Sequence, residues 1–241
     1  MTSLTRPALP TNGRPRLSVI IPTLDEERLL PGLLSDLTHV PDVLEVLVVD
    51  GGSSDSTRDV ATREGARVIV AERGRGRQLA AGAHAATGEL FLFLHADVRL
   101  PAPAREAVSA TVGTLRAGAL VFRLGIDAPG AVFRLVERTV DLRTRFLGLP
   151  YGDQGLLVTR ADYLEAGGYR DIPLMEDVAL VRSLRRRCGI QLLDAPLLVS
   201  ARRWEQDGVW RRTFLNWCLI TAYSAGVSPT RLARWYRPAG S

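Results

Sequence analysis

The sequence has little cysteine: two in 241 residues, Cys188 and Cys218, in no paired or metal-like spacing. That excludes a disulfide framework, and both are expected to be buried small hydrophobes in a cytosolic protein. It also lacks a long apolar run. The longest, Phe214 to Val227, is too short and too polar to span a bilayer. Residues 1–15 carry Pro, Thr and Arg without an apolar core, so they are expected to be a flexible leader rather than a signal peptide. No G-x-G-x-x-G follows the first apolar run, which disfavours a dinucleotide-binding domain, and no G-x-x-x-x-G-K-[ST] occurs, which disfavours a P-loop. Internal repeats and low-complexity tracts are absent too.

What is present is ordinary globular composition, 46% hydrophobic and 24% charged, enough to bury a full core. The formal net charge of +5 is carried by arginine rather than lysine. Arginine grips phosphates and carboxylates through a planar fork. The excess suits a phosphorylated substrate, nucleic acid or an anionic membrane surface, although a GC-rich genome produces the same bias.

The first half alternates strand and helix patterns. Strands are expected at 17–21, 44–49, 67–71 and 90–94, and helices at about 26–38, 57–64 and 76–86, with Gly65 ending the second helix. Such alternation predicts an α/β fold with a mostly parallel sheet flanked by helices. The second half is less regular. Helices are expected at 103–116, 132–146, 161–166, 176–187 and 209–225, and strands at 120–126, 155–159 and 192–199. No linker separates the halves. Residues 16–241 therefore read as one domain, with a nucleotide-binding half at 16–98 and an acceptor half at 99–241.

Ligands of open α/β sheets bind at the carboxyl ends of the strands. Polar residues gather there: Pro22 to Glu26 after the first strand, Asp50 to Thr57 after the second, His95 to Asp97 after the fourth. Asp50 ends an apolar strand and projects into the crevice; a capped strand-to-helix turn explains Ser54 to Thr57 as well as any function does. Asp97 is a natural ligand for a hard divalent cation, or else a strand-end residue bonded to nearby amides. Gly74-Arg75-Gly76-Arg77 reads as a phosphate or base cradle, or as a solvated basic loop.

Together these pieces resemble family 2 glycosyltransferases of the GT-A fold. The matching stretches are Ser18 to Glu26, Val48 to Thr57, Gly76 to Ala83, Leu92 to Asp97, Gly152 to Gly155, Gly167 to Tyr169 and Met175 to Val178. More narrowly, Ser200 to Trp204 and the helix after it look like a bacterial subgroup labelled as associated with radical-enzyme or arsenosugar gene neighbourhoods. Some relatives of that subgroup carry a carotenoid-glycosylation label.

The resemblance implies an inverting transfer from a nucleotide-sugar donor, with uridine diphosphate preferred, to a hydroxyl acceptor that is a small molecule, a lipid or a carotenoid. It implies Mn2+ or Mg2+ as cofactor and no nucleic-acid partner. Pro22, Leu24, Glu26, Asp50, Arg77, His95 and Ala96 would form the nucleotide pocket, with Asp50 accepting from an imide N–H. Asp97 would hold the metal. Asp177 would be the catalytic base, with Glu176 beside it. Asp153, Gln154, Arg202 and Arg203 are candidates for the acceptor side or for steadying the leaving group. His95 stands where the family's Asp-x-Asp motif has its first Asp; a His donates to a ribose hydroxyl or ligates a softer metal.

Two alternatives stay open. One is a nucleotidyltransferase of related fold, for which the loop after the first strand lacks a glycine-rich arginine grip. The other is an inactive nucleotide-sugar binder. The C-terminal helix, with Trp210, Phe214, Trp217, Ile220 and Tyr223, is expected to bury these against the sheet or a second copy. With Arg211, Arg212, Arg231, Arg234 and Arg237 nearby, contact with the inner face of a membrane is the other option for an otherwise cytoplasmic chain.

Overall fold

The computed structural model describes residues 15–147 and 152–236. The leader expected at 1–15 lies outside them except for its last residue.

Apolar runs with no polar face become strands covered on both sides. β1 (Leu17–Thr23), β2 (Val43–Asp50), β3 (Arg67–Val70) and β4 (Leu90–Phe93) pair in parallel, in the order β3-β2-β1-β4. β5 (Val98–Arg99), β6 (Ala119–Asp127), β7 (Leu156–Thr159) and β8 (Ile190–Ser200) extend the sheet to β3-β2-β1-β4-β7-β6-β8-β5. β7 runs antiparallel to both β4 and β6, β6 pairs parallel with β8, and β5 closes the edge antiparallel to β8. The α/β fold with a mostly parallel, helix-flanked sheet is thus observed, and the β4–β7 pairing joins the two halves.

Helices cover both faces. Leu30, Leu33, Leu34 and Leu37 of α1 (Leu30–Leu37), Val60 of α2 (Thr57–Arg63), Val108 and Val112 of α4 (Ala102–Thr114), and Phe133 and Val136 of α5 (Ala131–Leu147) build one core. On the other face lie Leu79 and Ala83 of α3 (Arg75–Ala85), Tyr163 of α6 (Arg160–Glu165), and Leu180 and Leu184 of α7 (Glu176–Arg187). A third cluster joins Met175 and Val178 to Leu219 and Ile220 of α9 (Val209–Ser224) and Leu232 of α10 (Pro229–Trp235). α8 (Arg202–Asp207) follows directly on β8.

Several expectations needed correction. α1 starts four residues late, because Asp25 takes a left-handed φ of 54° and a turn fills the gap. β5, α8 and α10 were not foreseen; each is too short to show a periodicity. Cys218 is exposed, and Cys188 is half-buried rather than buried.

α3 lies unusually close to the sheet. A Cβ on Gly82 would come within 2.5 Å of Ile20 Cγ2 and 2.8 Å of Val49 Cγ2. That approach sets the start of α3 beside the carboxyl ends of the central strands.

Candidate active site

The loops after β1 and β2 are laced together. The Asp25 and Glu26 N–H groups donate to Ser53 Oγ at 3.0 Å and Thr57 Oγ1 at 2.8 Å, and Asp25 Oδ1 accepts the Ser54 N–H at 2.8 Å. Asp55 caps α2 by accepting the Thr57 N–H at 2.9 Å. Gln78 of α3 donates from Nε2 to the Thr23 and Val49 carbonyls, both at 2.8 Å, and pins the two strand ends. Pro22, in β1, and Leu24, just after it, are half-buried, and Glu26 meets Arg202 at 3.3 Å.

Asp50 lies at the centre of that lacing and is fully buried. Oδ2 accepts the N–H groups of Gly52 and Ser53 at 3.1 and 3.0 Å, and Oδ1 accepts the Ser53 hydroxyl. The carboxylate therefore holds its own loop, which amends the expectation that it projects openly into the crevice. With no exposed surface on Asp50, an imide donor reaches the carboxylate only if the Ser53 loop moves.

The start of α7 forms the second part of the site. Met175 adopts φ 68°, a costly left-handed turn for a residue with a Cβ, and it swings Glu176 and Asp177 to the helix N-terminus, where the dipole favours anions. Arg75, at the first position of α3, ion-pairs with Glu176 and reaches Asp177 Oδ2 at 3.2 Å. Gly152 donates its N–H to the same Oδ2 at 2.7 Å, and Val178 donates to Oδ1 at 2.8 Å. A Cβ on Gly152 would lie 2.9 Å from Asp177 Oδ2 and 3.1 Å from His95 Nε2, so a larger residue here would push these two side chains aside. Likewise, a Cβ on Gly76 would strike the Arg170 carbonyl at 2.3 Å.

Burial raises the pKa of Glu176, against the pull of Arg75. Burial works against the charge on Arg75, but Glu176 and Asp177 outweigh it and raise its pKa.

One cavity of about 120 Å³ opens at the start of α7; Asp50 and the laced loops after β1 and β2 do not line it. Arg75, Asp177, Gly152 and Asp153 line one side, and His95 and Asp97 enter from the end of β4. Trp204, Arg212, Asn216, Leu219 and Tyr236 of the C-terminal helices form another wall. Arg212 is buried, pairs with Asp207 at 3.0 Å and stacks 5.0 Å from the Tyr236 ring centre. It thus belongs to the cavity rather than to a membrane-facing set. Ala96 is buried between His95 and Asp97.

The cavity suits a hard divalent cation. Asp97 and Asp153 offer oxygen ligands, and Asp153 Oδ1 is buried with no hydrogen-bond partner among the described residues. Burial raises the Asp153 pKa; Arg143 opposes this, and the charges of Asp177 and Asp97 add to it. No three His, Cys, Asp or Glu groups make a ready cage among the described residues.

Not every expected residue joins the site. Arg77 is exposed and paired with Asp171 and Glu72 at 2.7 and 2.8 Å, because it points away from α7 where Arg75 points toward it. Gln154 is fully buried, donating to the Phe122 carbonyl at 2.9 Å and accepting from Thr144 Oγ1 at 3.1 Å, so it braces β6 and α5 instead of facing an acceptor. Arg202 reaches back to Glu26, and the Arg203 side chain lies outside the described residues. Arg75 and Gly152 lie in stretches the sequence singles out, Gly74 to Arg77 and Gly152 to Gly155, but neither was assigned to the site, and Arg212 was read only as one of the arginines near the C-terminal helix.

The model of the family described as glycosyl transferase family 2 matches residues 18–161, well over half of the chain. The chain belongs to this family. An uncharacterised glycosyltransferase of Mycobacterium tuberculosis is 40% identical over 82 residues, 34% of this chain and 36% of that one. The chain thus matches about a third of the length of such curated relatives. Glucosyl-3-phosphoglycerate synthase of M. tuberculosis, solved with Mn2+, uridine diphosphate and glucosyl-3-phosphoglycerate, superposes with a TM-score of 0.58 at 21% identity, over 85% of this chain and 80% of that one. A mannosyltransferase of Pyrobaculum calidifontis, solved with GDP-mannose and Mn2+, gives 0.65 at 20% identity, over 96% and 72%. At these identities the two structures share the fold. No helix among the described residues is long and apolar enough to cross a membrane.

Proposed function

We propose that this family 2 protein is an inverting glycosyltransferase that moves a sugar from a uridine diphosphate donor to a hydroxyl acceptor, in the radical-enzyme or arsenosugar-associated subgroup. One observation carries the reading: Asp177, held by Gly152 and Arg75, faces the same cavity as Asp97 and His95. A base and a diphosphate-binding edge on one cavity are what a single displacement requires.

In this reading Asp177 takes the proton of the acceptor hydroxyl. The acceptor oxygen bonds to the anomeric carbon on the face opposite the diphosphate. The bond from that carbon to the diphosphate oxygen breaks, and its electron pair leaves on the nucleoside diphosphate. Asp97, with Asp153 and His95 beside it, would hold a divalent cation, which supplies charge neutralisation for the leaving group. Arg75 links donor and base: a diphosphate in the cavity gives its guanidinium a second anion and loosens its hold on Asp177. Glu176 keeps Arg75 in place. The neighbour solved with GDP-mannose makes guanosine the competing base, while the carboxylate of Asp50 favours a base with a ring N–H donor, which uracil carries at its imide N3 and guanine at N1.

The test is a screen of uridine and guanosine diphosphate sugars with Mn2+ or Mg2+, reading release of nucleoside diphosphate, followed by Asp177→Asn. General-base catalysis contributes about 10²–10⁴-fold. Turnover of Asp177→Asn should fall on that order, with donor affinity by calorimetry near wild type. Binding without turnover for every donor would support the inactive-binder alternative, and normal turnover of Asp177→Asn would place the base elsewhere.

A further inference from the structure

α9 carries two opposed faces. At about 100° per residue, Trp210, Phe214, Trp217 and Thr221 fall within about 60° of one another, and Arg212, Asn216 and Leu219 fall within about 60° on the other side. The second set lines the cavity. The first stands in solvent, with Trp210 65% and Phe214 71% exposed. α5 packs against α9 and repeats the pattern, with Leu135 and Leu142 exposed on one stripe with Arg138 and Arg145.

The free charges along α5 and α9 themselves have one sign, and of the acids on α8 just before α9, Asp207 pairs with Arg212 while Glu205 stays exposed. α9 contains no acidic residue. The two acids of α5 turn inward: Glu137 accepts the Ile126 N–H and pairs with Arg134, and Asp141 pairs with Arg123. Arg138, Arg145 and Arg211 are exposed and make no ion pair among the described residues. Arg231, Arg234 and Trp235 of α10 are exposed as well.

We propose that this face of α5 and α9 docks on an anionic lipid surface. Tryptophan rings favour the boundary between headgroups and acyl chains. Arginine stems lie along apolar surface while their guanidinium groups meet lipid phosphates. A two-fold dimer through the same face would set arginine against arginine across the axis. Docked in this way, α9 stands between the lipid and the cavity, and an acceptor anchored in the bilayer lies about one helix diameter, roughly 10 Å, from the cavity wall.

The experiment uses the full chain and needs no sugar, so it fails or succeeds apart from the catalytic reading. Flotation is measured with phosphatidylglycerol vesicles and with phosphatidylcholine vesicles. Tryptophan quenching by brominated acyl chains reports insertion, with buried Trp204 as the internal reference. The protein is expected to float with the anionic vesicles, more weakly at high salt, and poorly with the neutral ones. Replacing Arg138, Arg145 and Arg211 with Gln should weaken partitioning by on the order of a hundredfold, at about 1 kcal/mol for each arginine. Replacing Trp210, Phe214 and Trp217 with Ala should abolish quenching, with circular dichroism melting showing that both variants fold. Absence of flotation at low salt, or flotation unchanged in both variants, would overturn the proposal. So would a dimer, seen by sedimentation, that the aromatic variant breaks and that does not float.

Discussion

At the scale of the residue, the site is organised by carboxylates in unlike surroundings. Asp50 is satisfied three times over by its own loop. Asp50→Ala should therefore weaken binding of uridine diphosphate by at least about tenfold, as expected for a charged hydrogen bond, and should also lower the melting temperature. Ser53→Ala separates the effects, since it removes the competing hydroxyl and keeps the carboxylate. Its affinity, read by calorimetry, should stay at or above wild type; a loss equal to that of Asp50→Ala would mean that loop shape, not the carboxylate, reads the base. Asp153 has the opposite character. Burial raises its pKa, so the folded chain binds that proton more tightly than the unfolded chain does. The stability it contributes is full below the ordinary carboxylate value near 3.8 and is lost as pH rises through the raised value. In chelator, the melting temperature of wild type should fall more than that of Asp153→Asn as pH rises above about 4. Parallel curves would show that the buried charge is compensated.

At the scale of the element, α3 positions the site through two glycines. A Cβ on Gly82 collides with Ile20 and Val49 in the core, and one on Gly76 collides with the Arg170 carbonyl beside Glu176. Gly82→Ala should cost about 1–3 kcal/mol by overpacking, read in denaturant, with turnover kept in the fraction that stays folded. Gly76→Ala should instead disturb Arg75 and depress turnover more than stability. Equal effects of the two on both measures would mean that α3 moves as a rigid rod. The long elements were legible from the chain because their apolar pattern is strong: α7 was expected at 176–187 and is found there. The choice between Arg75 and Arg77 was not legible. Both flank Gly76, and the packing of α3 on the α7 side, 100 residues away, decides which one points inward. Gln154 misled for a similar reason, since a glutamine beside a site residue reads the same in sequence whether it faces the cavity or the core. Arg212 was hidden among surface arginines, because its partner ring, Tyr236, arrives from a different helix.

At the scale of the whole molecule, β4 and β7 join the nucleotide half to the acceptor half through four paired positions in mid-sheet. We propose that residues 16–241 unfold as one unit. Scanning calorimetry should give a van't Hoff enthalpy equal to the calorimetric one, and two resolved transitions would show that the halves are separate domains. The parallel first half was readable from its rhythm of strands and helices. In the second half the longer elements were readable as well, but β5 and α8 were not, because both are short, β5 finding its place against β8 and α8 against α9. The two-faced helix α9 has a consequence for how this chain can vary. Inserting one residue after Arg211 would turn everything beyond it by about 100°. Asn216 and Leu219 would rotate off the cavity and the exposed aromatics would swing toward the protein, whereas an insertion of seven residues would return both faces to within about 20° of their original directions. α9 should thus accept many changes of side chain and very few changes of length.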